Sequence, residues 1–154
     1  MDPEKIEICF QQRCQDRARV KNYFDVADDS FKPKLSSRLD VKAYVDKICN
    51  YASLIWCMYE GRDIGLCAFY ANRPPMAFIT SLSVLEEYQG YGLAKRLLEE
   101  MVERCTQNGF KKITLEVYKA NTRAQQLYLK MGFAFSTKDD EKYVMQKTDL
   151  NLLW

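Results

Sequence analysis

Hydrophobic and polar residues recur along the chain with two different periods, and the period of each segment predicts its secondary structure. The segment KIEICF, residues 5–10, alternates apolar and polar positions, as a half-buried strand does. The segment that follows Asp40 places apolar residues three or four positions apart, which predicts a helix, and residues 16–27 predict another helix with an imperfect apolar side. The predicted apolar side of the first helix comprises Ala18, Val20, Tyr23, Phe24 and Val26. Asp40 is a typical N-cap residue for the second helix.

The middle of the chain predicts three consecutive strands. Residues 53–75 contain two apolar-rich runs around the turn at 60–63, which is the pattern of a β-hairpin. A second turn at 72–75 leads into MAFITSLSV, residues 76–84, which is the third strand. After a turn with two glycines, apolar residues return to helical spacing until the C-cap signal Asn-Gly at 108–109.

The last third of the chain predicts a strand, a helix and a final pair of strands. KKITLEV, residues 111–117, alternates as a strand does, and Asn121 caps a helix that Gly132 closes. FAFSTK and KYVMQK, which end at positions 138 and 147, are the final strand pair. The predicted order is βαα, βββ, αβα, ββ. We therefore expect one α/β domain over residues 1–154, without a linker or an internal repeat.

Charge and hydropathy argue against several classes of protein. The chain has 23 basic and 21 acidic residues and a net charge of +2, which is too balanced to predict a nucleic-acid partner. No apolar run approaches the roughly 18 residues of a membrane span, and the first residues lack a secretory signal. We therefore expect a cytoplasmic protein with no membrane partner. The short apolar tail, residues 151–154, packs either on the body of the protein or on a second subunit of a homodimer, and the sequence leaves both open.

The chain contains no histidine, which excludes Ser-His-Asp and Cys-His catalysis. Acid–base chemistry must then use a carboxylate, a tyrosine, a lysine, a cysteine or water. The six cysteines are scattered without a Cys-x-x-Cys pair, so we expect reduced, buried thiols, as at Cys67 and Cys105, and no metal site.

The turn QGYG, residues 89–92, connects a strand directly to the N-terminus of a helix. The first N–H groups of a helix lack partners within the helix and attract anions, and glycines would let a phosphate approach the backbone. The alternative is that the glycines only make a tight turn. Neither the dinucleotide fingerprint nor the P-loop fits, because Lys95 stands where a third glycine is needed and Gly-Lys-Ser/Thr is absent.

The pattern Gln89-x-x-Gly92-x-Ala94 after a strand resembles the acetyl-CoA signature of the GNAT acyltransferase superfamily. LEVYKANTRAQQLYLKMGF, residues 115–133, resembles the strand and helix that follow in that family, at the expected spacing. The close resemblance covers residues 81–133. It implies the GNAT fold, a central mixed, mostly antiparallel sheet that is splayed between its fourth and fifth strands and carries helices on both faces.

The resemblance also implies how acetyl-CoA is bound. Backbone N–H groups of the turn would hold the pyrophosphate, and the pantetheine arm would lie between the splayed strands. The positions expected to contact the coenzyme are Leu82, Ser83, Val84, Gln89, Gly90, Tyr91, Gly92, Leu93, Ala94, Lys95, Asn121 and Tyr128.

Two residues of the second matching segment are the expected catalytic residues. Attack on a thioester needs a neutral amine, and for a lysine-like amine deprotonation at pH 7 costs about 4.6 kcal/mol. Some family members use the glutamate of the Leu-Glu-Val motif, here Glu116, as the base. The family tyrosine near the coenzyme sulfur corresponds to Tyr128, which would donate a proton to the departing thiolate. The alternatives are that Glu116 only bonds a neighbouring strand and that Tyr128 is a core residue.

The resemblance implies an N-acetyltransferase that moves the acetyl group of acetyl-CoA directly to a primary amine. The alternative is a GNAT-fold module that binds or senses acyl-CoA without turnover. The sequence leaves open whether the acceptor is a small amine, an amino sugar, a peptide N-terminus or a protein lysine. Positions that could contact it are Phe31, Lys34, Ser36, Arg38, Thr80, Ser81 and Ser83. Glu86 and Glu87, beside the glycine turn, are expected to face solvent.

Overall fold

A computed structural model describes residues 1–150, so the apolar tail at 151–154 lies outside the described residues. The predicted elements occur in the predicted order. The helices are α1 (Arg17–Ala27), α2 (Val41–Tyr51), α3 (Leu93–Gln107) and α4 (Thr122–Lys130). The strands are β1 (Ile6–Gln11), β2 (Ser53–Tyr59), β3 (Arg62–Arg73), β4 (Met76–Val84), β5 (Lys112–Tyr118), β6 (Ala134–Lys138) and β7 (Lys142–Lys147). No helix within residues 1–150 has the length and hydropathy of a membrane span.

The seven strands of residues 1–150 join one sheet in the order β1-β2-β3-β4-β5-β7-β6. Neighbouring strands are antiparallel except β4 and β5, which are parallel. Helix α3 provides the crossover that a parallel pair needs. The predicted mixed, mostly antiparallel sheet is therefore confirmed.

The strands β4 and β5 separate halfway along their length. They pair only between Met76–Ile79 and Lys112–Leu115, although β4 continues to Val84 and β5 to Tyr118. The separation begins at a bulge on the other edge of β4, where Ala68 pairs with Ser81 and Phe69 with Ile79, so that Thr80 is the extra residue. The predicted splay between the fourth and fifth strands is confirmed.

Helices cover both faces of the sheet. On one face, Tyr23 of α1 packs edge-on against Trp56 with ring centroids 5.7 Å apart. On the other face, a Cβ placed on Gly65 would lie 3.2 Å from Leu97 of α3 and 3.2 Å from the Cβ of Cys57. Trp56 and Cys57 are consecutive residues of β2, so their side chains point to opposite faces. Gly65 lets α3 approach the sheet closely.

The first helix buries three of the five predicted apolar residues and differs from the prediction at the other two. Val20, Phe24 and Ala27 are buried, together with Tyr23, whereas Val26 is 60% exposed and Ala18 is also exposed. The buried positions follow the i, i+3, i+4, i+7 spacing of one helix face. The prediction was wrong for Val26 and Ala18 because it chose residues by type rather than by their angle around the helix.

The cysteines form no disulfide in the structure. Cys57, Cys67 and Cys105 are buried as expected, and burial raises the pKa of Cys57 to about 11. Cys9 is exposed, contrary to the expectation. The thiols of Cys14 and Cys49 lie 3.0 Å apart and are partly buried.

Candidate active site

A cavity of about 540 Å³ opens where β4 and β5 separate. Its walls are the second halves of both strands, the turn between β4 and α3, the side of α4 and part of the loop between α1 and α2. Of the predicted coenzyme-contact positions, those that line it are Leu82, Ser83, Val84, Gln89, Gly90, Gly92, Leu93, Ala94, Lys95, Asn121 and Tyr128. Tyr91 is not among the lining residues, and its side chain is 55% exposed.

The turn before α3 leaves the start of that helix without a side-chain cap. Gly92 is the N-cap residue and has φ +75°. In α1, α2 and α4 the side chains of Asp16, Asp40 and Asn121 accept a hydrogen bond from the helix backbone at this position. The first intrahelical bond of α3 is donated by the Arg96 amide, so the N–H groups before it have no partner within the helix. These groups lie at the wall of the cavity, and unpaired N–H groups at a helix start favour negative charge.

The side chain of Gln89 holds this turn against two neighbouring elements. Its Nε2 donates to the carbonyl of Val84 at 3.0 Å, and its Oε1 accepts from Nη1 of Arg123 at 2.9 Å. Arg123 lines the cavity together with Lys95, so two cations flank the uncapped helix end. Sequence reasoning missed Arg123, although its position two residues after the N-cap Asn121 was a usable signal.

The three hydroxyl-bearing residues between positions 80 and 83 of β4 differ in their hydrogen bonding. Thr80 Oγ1 lies 3.0 Å from the hydroxyl of Tyr44, and Ser83 Oγ lies 2.8 Å from the hydroxyl of Tyr23. Ser81 is 5% exposed and lines the cavity, and its Oγ has no hydrogen-bond partner within residues 1–150. All three β4 residues line the cavity.

Tyr128 lies on α4 and is 7% exposed, with its ring 5.7 Å from that of Phe133. It lines the cavity, and its hydroxyl makes no hydrogen bond to the rest of residues 1–150. Burial raises the pKa of Tyr128 well above that of a free tyrosine, and the nearby Cys67 adds to the shift. The phenol is therefore neutral at physiological pH and can donate a proton.

Glu116 lies on β5 and also lines the cavity, but in a different environment from Tyr128. Its side chain is 49% exposed, and Oε2 is 3.4 Å from Nζ of Lys142. Leu115 and Val117 on either side are buried, so Glu116 points to the opposite face of the sheet. The carboxylate is solvated and accessible to a ligand in the cavity.

The loop between α1 and α2 contributes only some of the predicted acceptor contacts. Phe31 and Arg38 line the cavity. Lys34 and Ser36 do not, because Lys34 pairs with Asp29 at 3.1 Å and Ser36 Oγ donates to Asp28 at 2.6 Å. Of the two glutamates beside the glycine turn, Glu87 pairs with Arg62 at 3.1 Å outside the cavity. Glu86 is exposed but lies on the cavity wall.

Residues 19–133 match the sequence profile of the Acetyltransferase (GNAT) family. The chain belongs to this family. Within the GNAT family it is 38% identical over 80 residues to the uncharacterized N-acetyltransferase YdgE of Bacillus subtilis (strain 168). That match covers 50% of this chain and 51% of YdgE, so the chain spans about half the length of this relative.

Two further GNAT comparisons extend over more of the chain. A putative [ribosomal protein bS18]-alanine N-acetyltransferase of Bacillus subtilis (strain 168) is 28% identical over 104 residues, which is 68% of each chain. The PaiA N-acetyltransferase of Thermoplasma acidophilum, crystallised with coenzyme A, has a TM-score of 0.74 at 18% identity. That superposition covers 92% of this chain and 99% of the other, and at this identity it shows a shared fold.

Proposed function

We propose that the protein transfers the acetyl group of acetyl-CoA directly to a primary amine. The observation that carries this proposal is the cavity in which an uncapped helix N-terminus, a strand edge without a partner and a neutral buried tyrosine meet. The first feature suits a pyrophosphate, the second an extended amide-containing arm, and the third a leaving thiolate.

The residues present fit coenzyme A. A Cβ at Gly90 or Gly92 would meet no protein atom within 4 Å, so the space above the turn is open to a ligand. Lys95 and Arg123 add positive charge at the same place. Beyond Ile79, no residue of β4 pairs with β5, which leaves backbone groups of Leu82 and its neighbours available to the arm.

The proposed reaction forms a bond between the acceptor nitrogen and the acetyl carbon and breaks the bond between that carbon and sulfur. Tyr128 donates its phenolic proton to the departing thiolate and regains one from solvent. Glu116, directly or through a water, accepts the proton that the amine loses. Because Glu116 is half exposed, its contribution to this step should be moderate.

The direct test is incubation with acetyl-CoA and a panel of primary amines. We expect release of free thiol that depends on the amine, an acetylated product by mass spectrometry, and intersecting initial-rate plots, as a ternary complex gives. A module that only senses acyl-CoA would instead show a rise in melting temperature with coenzyme A and no thiol release. Absence of both effects would rule out the coenzyme site as well.

Glu116→Gln should slow transfer at pH 7 by about 100-fold, the low end for a general base, since the carboxylate is half exposed, and the deficit should shrink as the pH rises toward the pKa of the amine. The reason is that a base matters only while the amine is protonated. The deficit should be larger for a lysine-like acceptor than for an α-amine, because their deprotonation costs at pH 7 differ by about 3 kcal/mol. The measurement is kcat/KM against pH for both acceptors.

Glu87→Gln is the matched control for this prediction, since it removes an exposed carboxylate that pairs with Arg62 outside the cavity. It should leave the pH profile unchanged. An equal loss for Glu116→Gln at every pH would show that Glu116 positions the acceptor and does not act as a base.

A further inference from the structure

Five residues form one side of the cavity, which we name the acceptor wall: Phe31, Arg38, Ser81, Glu116 and Tyr118. They come from the loop before α2, from β4 and from β5. The wall lies on the face of the sheet that carries α1, because Ser81 and Ser83 are two residues apart on β4 and Ser83 bonds Tyr23. It therefore lies across the splay from the proposed acid, Tyr128.

Arg38 is held at this wall by aromatic rings and not by a carboxylate. Its Cζ lies 5.0 Å from the ring centroid of Tyr118 and 5.4 Å from that of Phe31. The acidic residues near it in sequence are engaged elsewhere: Asp28 accepts from Ser36, Asp29 from Lys34 and Asp40 from the amide of Ala43. No acidic side chain of residues 1–150 forms an ion pair with Arg38.

The two other polar groups of the acceptor wall differ in their accessibility to a ligand. The Oγ of Ser81 makes no hydrogen bond of good geometry within residues 1–150, but it is shielded from solvent and faces Tyr44, so it is not a contact that a ligand in the cavity can reach. Glu116 offers a carboxylate whose interaction with Lys142, at 3.4 Å, is long. The acceptor wall thus presents the Arg38 guanidinium, which lies over two aromatic rings, and the accessible Glu116 carboxylate at one space.

We propose that the acceptor is a small amino acid, a primary amine with a carboxylate a few bonds away. This inference rests on the proposed acetyl transfer. The ammonium group approaches Glu116, where it loses its proton, and the carboxylate pairs with the guanidinium of Arg38, which has the planar geometry that suits a carboxylate.

The charges of the cavity disfavour a polyamine. The basic residues that line it are Lys32, Arg38, Lys95 and Arg123, and the acidic ones are Glu86 and Glu116. Lys95 and Arg123 lie at the proposed pyrophosphate site, but Arg38 lies on the acceptor wall. The second ammonium of a polyamine would meet this guanidinium, and juxtaposed like charges are repulsive. In a peptide acceptor, an uncharged peptide bond would stand in place of the carboxylate, and Arg38 would then have no anionic partner.

Matched pairs of acceptors test this inference: L-alanine, L-methionine and L-phenylalanine, each against its carboxamide. Each pair shares the side chain, and the amide has the less basic amine, so a preference for the acid cannot come from easier deprotonation. We expect kcat/KM to favour the acid by about 10- to 100-fold, the range of a hydrogen bond to a charged group. Spermidine and a tripeptide amide should be poor acceptors.

Arg38→Gln should remove this preference, mainly by raising KM for the acid to the level of the amide, and Arg38→Lys should restore part of it. Lys34→Gln is the matched control, since Lys34 lies on the same loop, pairs with Asp29 and does not line the cavity. It should retain the full preference. Thermal unfolding of each variant shows whether it is folded.

A binding measurement separates failure of this inference from failure of the proposed function. N-acetyl-L-methionine is titrated into the complex with coenzyme A by calorimetry, with N-acetyl-L-methioninamide as the comparison. If the acid binds and Arg38→Gln weakens that binding, the inference is supported, even if no amine is acetylated. The lack of acetylation would overturn only the proposed transfer. Equal use of acids, amides and spermidine, with no effect of Arg38→Gln, overturns the inference and leaves acetyl transfer intact.

Discussion

Gly92→Val should weaken the binding of coenzyme A by at least about 100-fold, which corresponds to roughly 2.7 kcal/mol. The new side chain would meet no protein atom within 4 Å of its Cβ, so the free protein has room for it. That room is the space in which we place the pyrophosphate, next to the unpaired N–H groups at the start of α3. Isothermal titration with coenzyme A measures the loss.

The backbone at Gly92 has φ +75°, so a valine there also strains the turn. Gly61→Val is the control for this strain. Gly61 has φ +79°, and a Cβ at this position would also meet no protein atom within 4 Å. It lies in the turn between β2 and β3, outside the cavity. Both variants should lose a similar amount of stability, but Gly61→Val should bind coenzyme A normally. Normal binding by Gly92→Val would show that the phosphate site is elsewhere.

Tyr128→Phe should lower kcat by about 100-fold and leave the affinity for coenzyme A close to normal. General acid catalysis contributes about 10²–10⁴-fold, and we expect the lower end because a thiolate is already a good leaving group. The phenylalanine ring keeps the packing against Phe133, and the removed hydroxyl has no hydrogen-bond partner in residues 1–150. The melting temperature should therefore stay the same or rise slightly. If Tyr128 had a purely structural role, a variant with a lower kcat should also be less stable.

The raised pKa of Tyr128 also predicts the pH dependence of the wild-type enzyme. The protonated phenol is the active form, and burial moves its ionisation to higher pH. Ionisation of a tyrosine with the ordinary pKa would reduce kcat near pH 10. We therefore expect ionisation of this group to cause no decline in kcat even at about pH 10, where an ordinary tyrosine would be half ionised.

Tyr143→Phe is a suitable control for the loss of a hydroxyl, because Tyr143 packs on Phe135 and does not line the cavity. It should have wild-type kcat. If Tyr128→Phe and Glu116→Gln both retained wild-type rates, neither residue could be the acid or the base, and catalysis would rest on binding and orientation.

Much of the fold could be predicted from the sequence because the signals are local. The alternation in KIEICF, the N-caps Asp40 and Asn121 and the glycine turn each depend on backbone geometry within a few residues, and each occurs in the structure as predicted. Residues 89–94 and 115–133 pointed to the GNAT family, and the family match confirms it.

Only the tertiary structure decided which side chains reach the cavity. In the sequence, Lys34, Ser36 and Arg38 were equivalent polar residues of the loop before α2. In the structure, nearby aspartates bind Lys34 and Ser36. Arg38 instead packs over the ring of Tyr118, 80 positions away in the chain. The bond from Arg123 to Gln89 likewise joins two elements that are distant in the chain. Periodicity and capping describe interactions within one element. The acceptor wall depends on contacts between elements, which exist only once the sheet has brought the loop before α2, β4 and β5 together.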